Sequence, residues 1–171
     1  YSTRAEGKYS VALGSGAQAL GDLGYALGNN AQARENDVAV GAGALTGSTG
    51  SKQTTAIGYN AGLGSKDTQN STFIGAAAGS SSEGQLNSFI GSGTGASTVG
   101  TRNAFFGNNA GAQSKGNLNV AGGNLALAGA QGNNNVGQGT GAGAVVVGDN
   151  NVAIGYRAGT QTPLEANGDV D

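Results

Sequence analysis

The segment Asn151-Val152-Ala153-Ile154-Gly155 decides how this chain is read, because variants of it recur at a nearly fixed spacing. Counting back from Gly155 in steps of 16 reaches Gly139, Gly123, Gly107, Gly91 and Gly75. Steps of 17 then reach Gly58 and Gly41, and steps of 13 and 14 reach Gly28 and Gly14. Three residues after these anchors stand Ala17, Ala31, Ala44, Ala61, Ala78, Thr94, Ala110, Ala126, Ala142 and Ala158. A second glycine series (Gly84, Gly100, Gly116, Gly132, Gly148) and an asparagine series (Asn87, Asn103, Asn119, Asn135, Asn151) keep the same register. Three series in one frame are a repeat, and a repeat takes precedence over any local reading.

The residue types around the anchor identify the unit. Leu13, Leu27, Val40, Ile57, Ile74, Ile90, Phe106 and Ile154 precede it directly, and Val11, Tyr25, Val38, Thr55, Thr72, Val120, Val136 and Val152 lie two positions earlier. Apolar or β-branched residues spaced by two share one face of a strand. The residues between them, mostly alanine but Phe73, Phe89 and Phe105 in three successive units, belong to the other face. Helical repeats need roughly 30 or more residues, and glycine costs a helix about 1 kcal/mol each. Sixteen residues suffice for two strands of about five residues and two tight turns. The sequence therefore predicts an all-β parallel β-solenoid of about ten coils of 13–17 residues, stacked at roughly 4.8 Å into a rod of roughly 48 Å. The anchor glycines are expected at corners with positive φ, and the asparagines as stacked amides that bond turn backbone.

The chain has 171 residues, which favours a single domain over residues 1–171. Its 35 glycines, 5% aromatic content and absence of Trp, Met, Cys and His argue against an ordinary globular core. The Val and Ile rows are expected to fill the coil, where two such side chains must offset the ordering of a whole coil, a marginal balance. An oligomer is expected on that ground, with the alanine face open to close approach by another chain. Gly122 and Gln138 replace the apolar residue in two consecutive coils, where the core is expected to thin. The Phe73, Phe89, Phe105 ladder lies on the alanine face and admits two readings: a trimer contact or core layer, or an exposed aromatic stripe that grips a ligand.

Chemistry is conspicuous by its missing residues. There is no His for acid–base work and no Cys nucleophile. The carboxylates are scattered, and Glu35 with Asp37, the nearest to a glycosidase pair, reads as a solvated turn. Zinc would need His or Cys clusters, and calcium-binding rolls need a recurring Asp. Gly137-Gln138-Gly139-Thr140-Gly141 lacks the Lys-Ser/Thr of a phosphate loop and sits inside the repeat frame. The net charge of −2 and dispersed basic residues give no nucleic-acid stripe. The expectation is a binding protein with no catalytic residue, cofactor or metal. Tyr1 to Ser10 shows no secretory leader pattern, and no apolar run approaches the ~18 residues of a membrane-spanning helix.

The anchor segments closely resemble the head repeats of trimeric autotransporter adhesins, typically Asn-Ser-Val-Ala-Ile-Gly. Here they read Asn150-Asn151-Val152-Ala153-Ile154-Gly155, Tyr9-Ser10-Val11-Ala12-Leu13-Gly14 and Asn70-Ser71-Thr72-Phe73-Ile74-Gly75. The resemblance spans roughly residues 9–160. It implies a left-handed parallel β-roll, a parallel homotrimer, and display on the bacterial cell surface through a membrane anchor outside this sequence. Partners implied are collagen, fibronectin, laminin or cell-surface receptors, with autoaggregation as a further role. The chain departs from the family in favouring 16-residue coils over 14 and in carrying Ala or Thr where the family has Ser after the anchor. No neck, stalk or membrane barrel is present, so the chain reads as a head alone, with residues 161–171 as an exit segment. A structural or receptor-binding segment of a trimeric phage tail fibre is the alternative.

Overall fold

The computed structural model describes residues 2–160. It is a parallel β-solenoid whose main wall is a ten-stranded sheet in simple chain order. Its strands are β2 (Val11–Leu13), β4 (Tyr25–Leu27), β6 (Val38–Val40), β7 (Thr55–Ile57), β8 (Thr72–Ile74), β9 (Ser88–Ile90), β10 (Ala104–Phe106), β11 (Val120–Gly122), β12 (Val136–Gln138) and β13 (Val152–Ile154). Each pairs in parallel with the same repeat positions one coil away, as Ala104, Phe105 and Phe106 do with Val120, Ala121 and Gly122. Ten rungs bound about nine turns, most of them 16 residues long. The exit segment expected at 161–171 lies outside the described residues.

The second wall differs along the rod. In the first coils it is a sheet of two-residue strands, β1 (Arg4–Ala5), β3 (Gln18–Ala19) and β5 (Gln32–Ala33). Past Gly41 it becomes a run of turns joined by single parallel bridges at Thr49, Lys66, Glu83, Val99, Lys115, Gln131 and Val147. Two strands of about five residues per coil are therefore not formed. The rungs stop at three residues because both flanks are left-handed. Leu86, Arg102, Leu118 and Asn134 have φ of 60°, 58°, 59° and 56°, and the anchors Gly91, Gly107, Gly123 and Gly139 have φ of 130°, 130°, 126° and 124°. Glycine is required at the anchors: a Cβ on Gly107 would stand 2.6 Å from the backbone oxygen of Gly123.

The faces of the rungs are the reverse of the expectation. The middle residue points inward: Ala26, Ala39, Ala56, Phe73, Phe89, Phe105 and Ala121 are fully buried. The flanking Val and Ile residues face out, with Ile57, Ile74 and Ile90 still 36–39% exposed. Strand alternation guarantees only that the two sets face opposite ways. The coil's width chooses between them, and a glycine-tight coil holds alanine where two walls of valine and isoleucine would not fit. Gly122 and Gln138 consequently interrupt the outer row, and the core does not thin there.

Where an aromatic ring enters, the opposite wall gives way. Phe73, Phe89 and Phe105 stack in a buried column with ring centroids 5.5 and 5.1 Å apart. Six residues after each stands Gly79, Gly95 or Gly111, and a Cβ on any of them would lie within 2.1–2.5 Å of the ring. The exchange also runs the other way. Leu127 projects from the turn wall, fully buried, towards Gly137 and Gly143, where a Cβ would meet it at 2.8 and 2.6 Å. Leu45 fills the space against Gly62 in the same manner. Within the later coils side-chain volume is thus traded between facing walls and adjacent layers, as close packing requires.

Candidate functional site

Most polar side chains inside the coil are spent on the backbone, although the buried Ser65 and Thr68 hydroxyls have no partner. Asn87, Asn103, Asn119 and Asn135 are buried, and each passes hydrogen bonds to the next coil. The Asn103 backbone N–H donates to Asn87 Oδ1 at 3.0 Å, and Asn103 Nδ2 donates to the Gly116 carbonyl at 3.0 Å. Asn119 and Asn135 repeat the pattern at 2.9–3.0 Å. A parallel, exposed ladder runs through Thr101, Asn117, Asn133 and Asp149 by the same backbone-to-side-chain bonds. These side chains satisfy corner N–H and C=O groups that a three-residue rung leaves unpaired.

Asp37 occupies the asparagine position of its coil and is buried. It accepts from the Thr54 N–H at 2.9 Å, the Ser51 hydroxyl at 2.7 Å and the Arg34 N–H at 3.0 Å. Burial raises its pKa above the usual carboxylate value, against the pull of those hydrogen bonds and of the Arg34 charge. Glu35, two residues away, faces solvent in a 2.9 Å ion pair with Lys52. The structure therefore does not bring Glu35 and Asp37 into a shared cleft. Among the described residues, no three His, Cys, Asp or Glu side chains gather as a metal site. In Gly137-Gln138-Gly139-Thr140-Gly141, Gly137 and Gln138 close β12 and Gly139 and Gly141 are left-handed corners.

The Phe73, Phe89, Phe105 ladder is removed from the surface candidates. All three rings are fully buried within one chain, so they neither touch a second subunit nor present an aromatic stripe. The anchors Gly14, Gly28, Gly41, Gly58, Gly75, Gly91, Gly107, Gly123, Gly139 and Gly155 all stand at φ between 120° and 142° and serve the fold.

Among the described residues two surfaces stand out. The larger is the outer face of the ten-stranded sheet, two side chains wide and ten rungs long. A strip of ~45 Å by that width covers several hundred Å², a size that on soluble proteins marks an interaction surface. Its occupants include Val11, Leu13, Ile57, Ile90, Phe106 and Ile154, from 38 to 71% exposed, with Thr55, Thr72, Ser88 and Gln138 as the polar members of the two rows. The sequence reading missed it by placing these residues inside. The glycine six positions after each phenylalanine was the available signal, because it marks where a ring needs room.

The smaller is a shallow hollow of about 350 Å³ on the turn wall, lined by Asn109, Ala112, Gln113, Leu125, Ala128, Gly129 and Val145. It contains no ionisable side chain, and its chemistry is limited to apolar contact and amide hydrogen bonds. Val145, with φ 55°, is the single β-branched residue in the left-handed region among the described residues, a conformation that strains such a side chain. No protein-family model matches this chain, and no curated protein matches it.

Proposed function

We propose that this chain is the head of a bacterial surface adhesin, acting as a parallel homotrimer that attaches to host matrix proteins such as collagen, fibronectin or laminin, or to cells. The observation that carries the reading is the register itself: strand and anchor glycine recur at the same offsets through ten rungs, alanine follows in all but the Thr94 coil, and asparagine joins them from Asn87 onward, in the pattern the adhesin heads share. The buried asparagines serve the backbone, and the surface is built of repeated rows, which suits broad multipoint attachment better than turnover of a small substrate. The outer apolar face supports self-association, with the turn rows and their hollow left outward for ligand. Left-handed winding and cell-surface display belong to the same proposal.

Two measurements test it. Purified protein is screened against collagen, fibronectin, laminin and cell surfaces at micromolar concentration, and failure against the whole panel overturns the adhesin reading. Sedimentation of wild type against Ile74→Lys/Ile90→Lys tests the interface. These residues face outward, so the variant should keep its fold and lose the trimer; a wild-type monomer at micromolar concentration contradicts the assembly.

A further inference from the structure

We infer that Gln138 fixes the register and direction in which copies of this chain associate through the outer face; this rests on the self-association proposed above. In the outer row next to the anchors, Ile57, Ile74, Ile90 and Phe106 are followed by Gly122 and Gln138 before Ile154 resumes the row. Gln138 is exposed, and its amide lies back over Gly122: a Cβ built on Gly122 would meet Gln138 Oε1 at 2.3 Å. The pair places one flat primary amide in an otherwise apolar ladder, seated in the hollow that the glycine leaves.

A periodic apolar face has a register problem. Over Ile57, Ile74 and Ile90, shifting one copy by a single coil, about 4.8 Å, sets isoleucine against isoleucine again and changes the apolar surface buried there little. The amide breaks that degeneracy. In the isolated chain it is solvated, whereas in an interface an unpaired amide costs about 1–3 kcal/mol. Parallel, unshifted copies bring their Gln138 residues to one height, where each amide offers both a donor and an acceptor to the next. A one-coil shift puts Gln138 against Ile154 or Gly122. An antiparallel, fully overlapped pair puts the ninth rung against the second, and Gln138 against Leu27. A lone polar residue that selects register in a coiled-coil seam works by the same penalty.

The test uses the absence of cysteine. A spin label on Lys66→Cys, which is exposed, reports inter-chain distances, and native mass spectrometry reports the number of copies. The expected wild-type result is one narrow distance distribution. Gln138→Ile, whose side chain faces outward, should keep its circular dichroism, associate as strongly or more strongly, and show several distances from shifted registers. Gln138→Glu should weaken association by roughly tenfold or more at neutral pH, because unshifted copies place like charges together, and recover on acidification. A single unchanged distance in Gln138→Ile overturns this inference while leaving self-association intact. A monomeric wild type overturns the self-association reading and this inference with it.

Discussion

Before Gly41 the coil is 13 or 14 residues long, its second wall is a strand, and alanine lines it from both sides. Ala17 and Ala19 point in and Gln18 stands between them less buried, the alternation of a true strand. After Gly41 the coil gains two to four residues, the second wall turns instead of extending, and phenylalanine or leucine fits inside. Added length thus widens the interior at the cost of strand pairing. The lost backbone partners are replaced by side chains, which is why the buried asparagine ladder is confined to the later coils. In the early coils that position holds Ser10, Gly24 and Asp37.

The largest effect should come from the corner seven residues before the anchor, which in the 16-residue coils is a glycine of positive φ. A Cβ on Gly100 would stand 1.9 Å from the Gly116 carbonyl oxygen, at φ of 150°, where neither backbone can yield. Gly100→Ala is expected to cost more than about 5 kcal/mol in urea denaturation; a loss under 1 kcal/mol would show that the two walls adjust freely. Next comes the interior. Phe89→Ala should cost about 3–5 kcal/mol, since its ring is stacked on both neighbours and Gly95 leaves nothing to refill the space. Ala26→Phe, the reverse change, has no facing glycine to accept the ring and should destabilise by at least the ~1–3 kcal/mol of an overpacked core. Comparable tolerance of Phe at 26 and at 89 would break the contrast between the regions.

Asn119→Ala is the test of the amide ladder, removing the acceptor of the Asn135 N–H and the donor to the Gly132 carbonyl. The expected loss is about 1–3 kcal/mol, with faster amide exchange at Asn135. The smallest effect sits at the junction. The Asp37 carboxyl is raised above its ordinary value of 3.8 by burial, so its charged form is the disfavoured one. Its stabilising contribution is complete below that ordinary value and is lost as pH rises through the folded-state pKa. Stability of wild type relative to Asp37→Asn should therefore increase as pH falls from neutral into that range, and a difference independent of pH would remove Asp37 from the account.

Much of this was legible in the chain. Identical offsets gave parallel pairing in register, because equal spacing brings equal residues together on stacking. The corner role of the glycines and the backbone bonding of the asparagines followed from residue chemistry. The Glu35 and Asp37 surroundings did not, since burial of one and exposure of the other depends on which side of the corner each falls. The interaction face was misplaced for a related reason: Val152 and Ile154 look like core residues wherever a strand is read alone.

The sequence by itself determined the period, the all-β class, and the pairing of every rung with its equivalents. Only the tertiary structure decided which face of the rung is inside. A period of two separates Ile74 from Phe73 without saying which turns inward. That choice belongs to the distance between the walls, fixed by corner glycines and by residues such as Gly79 that approach from the far side. The same distance turned the second wall into turns, buried the three rings, and left the Val and Ile rows outside as the surface a partner must cover.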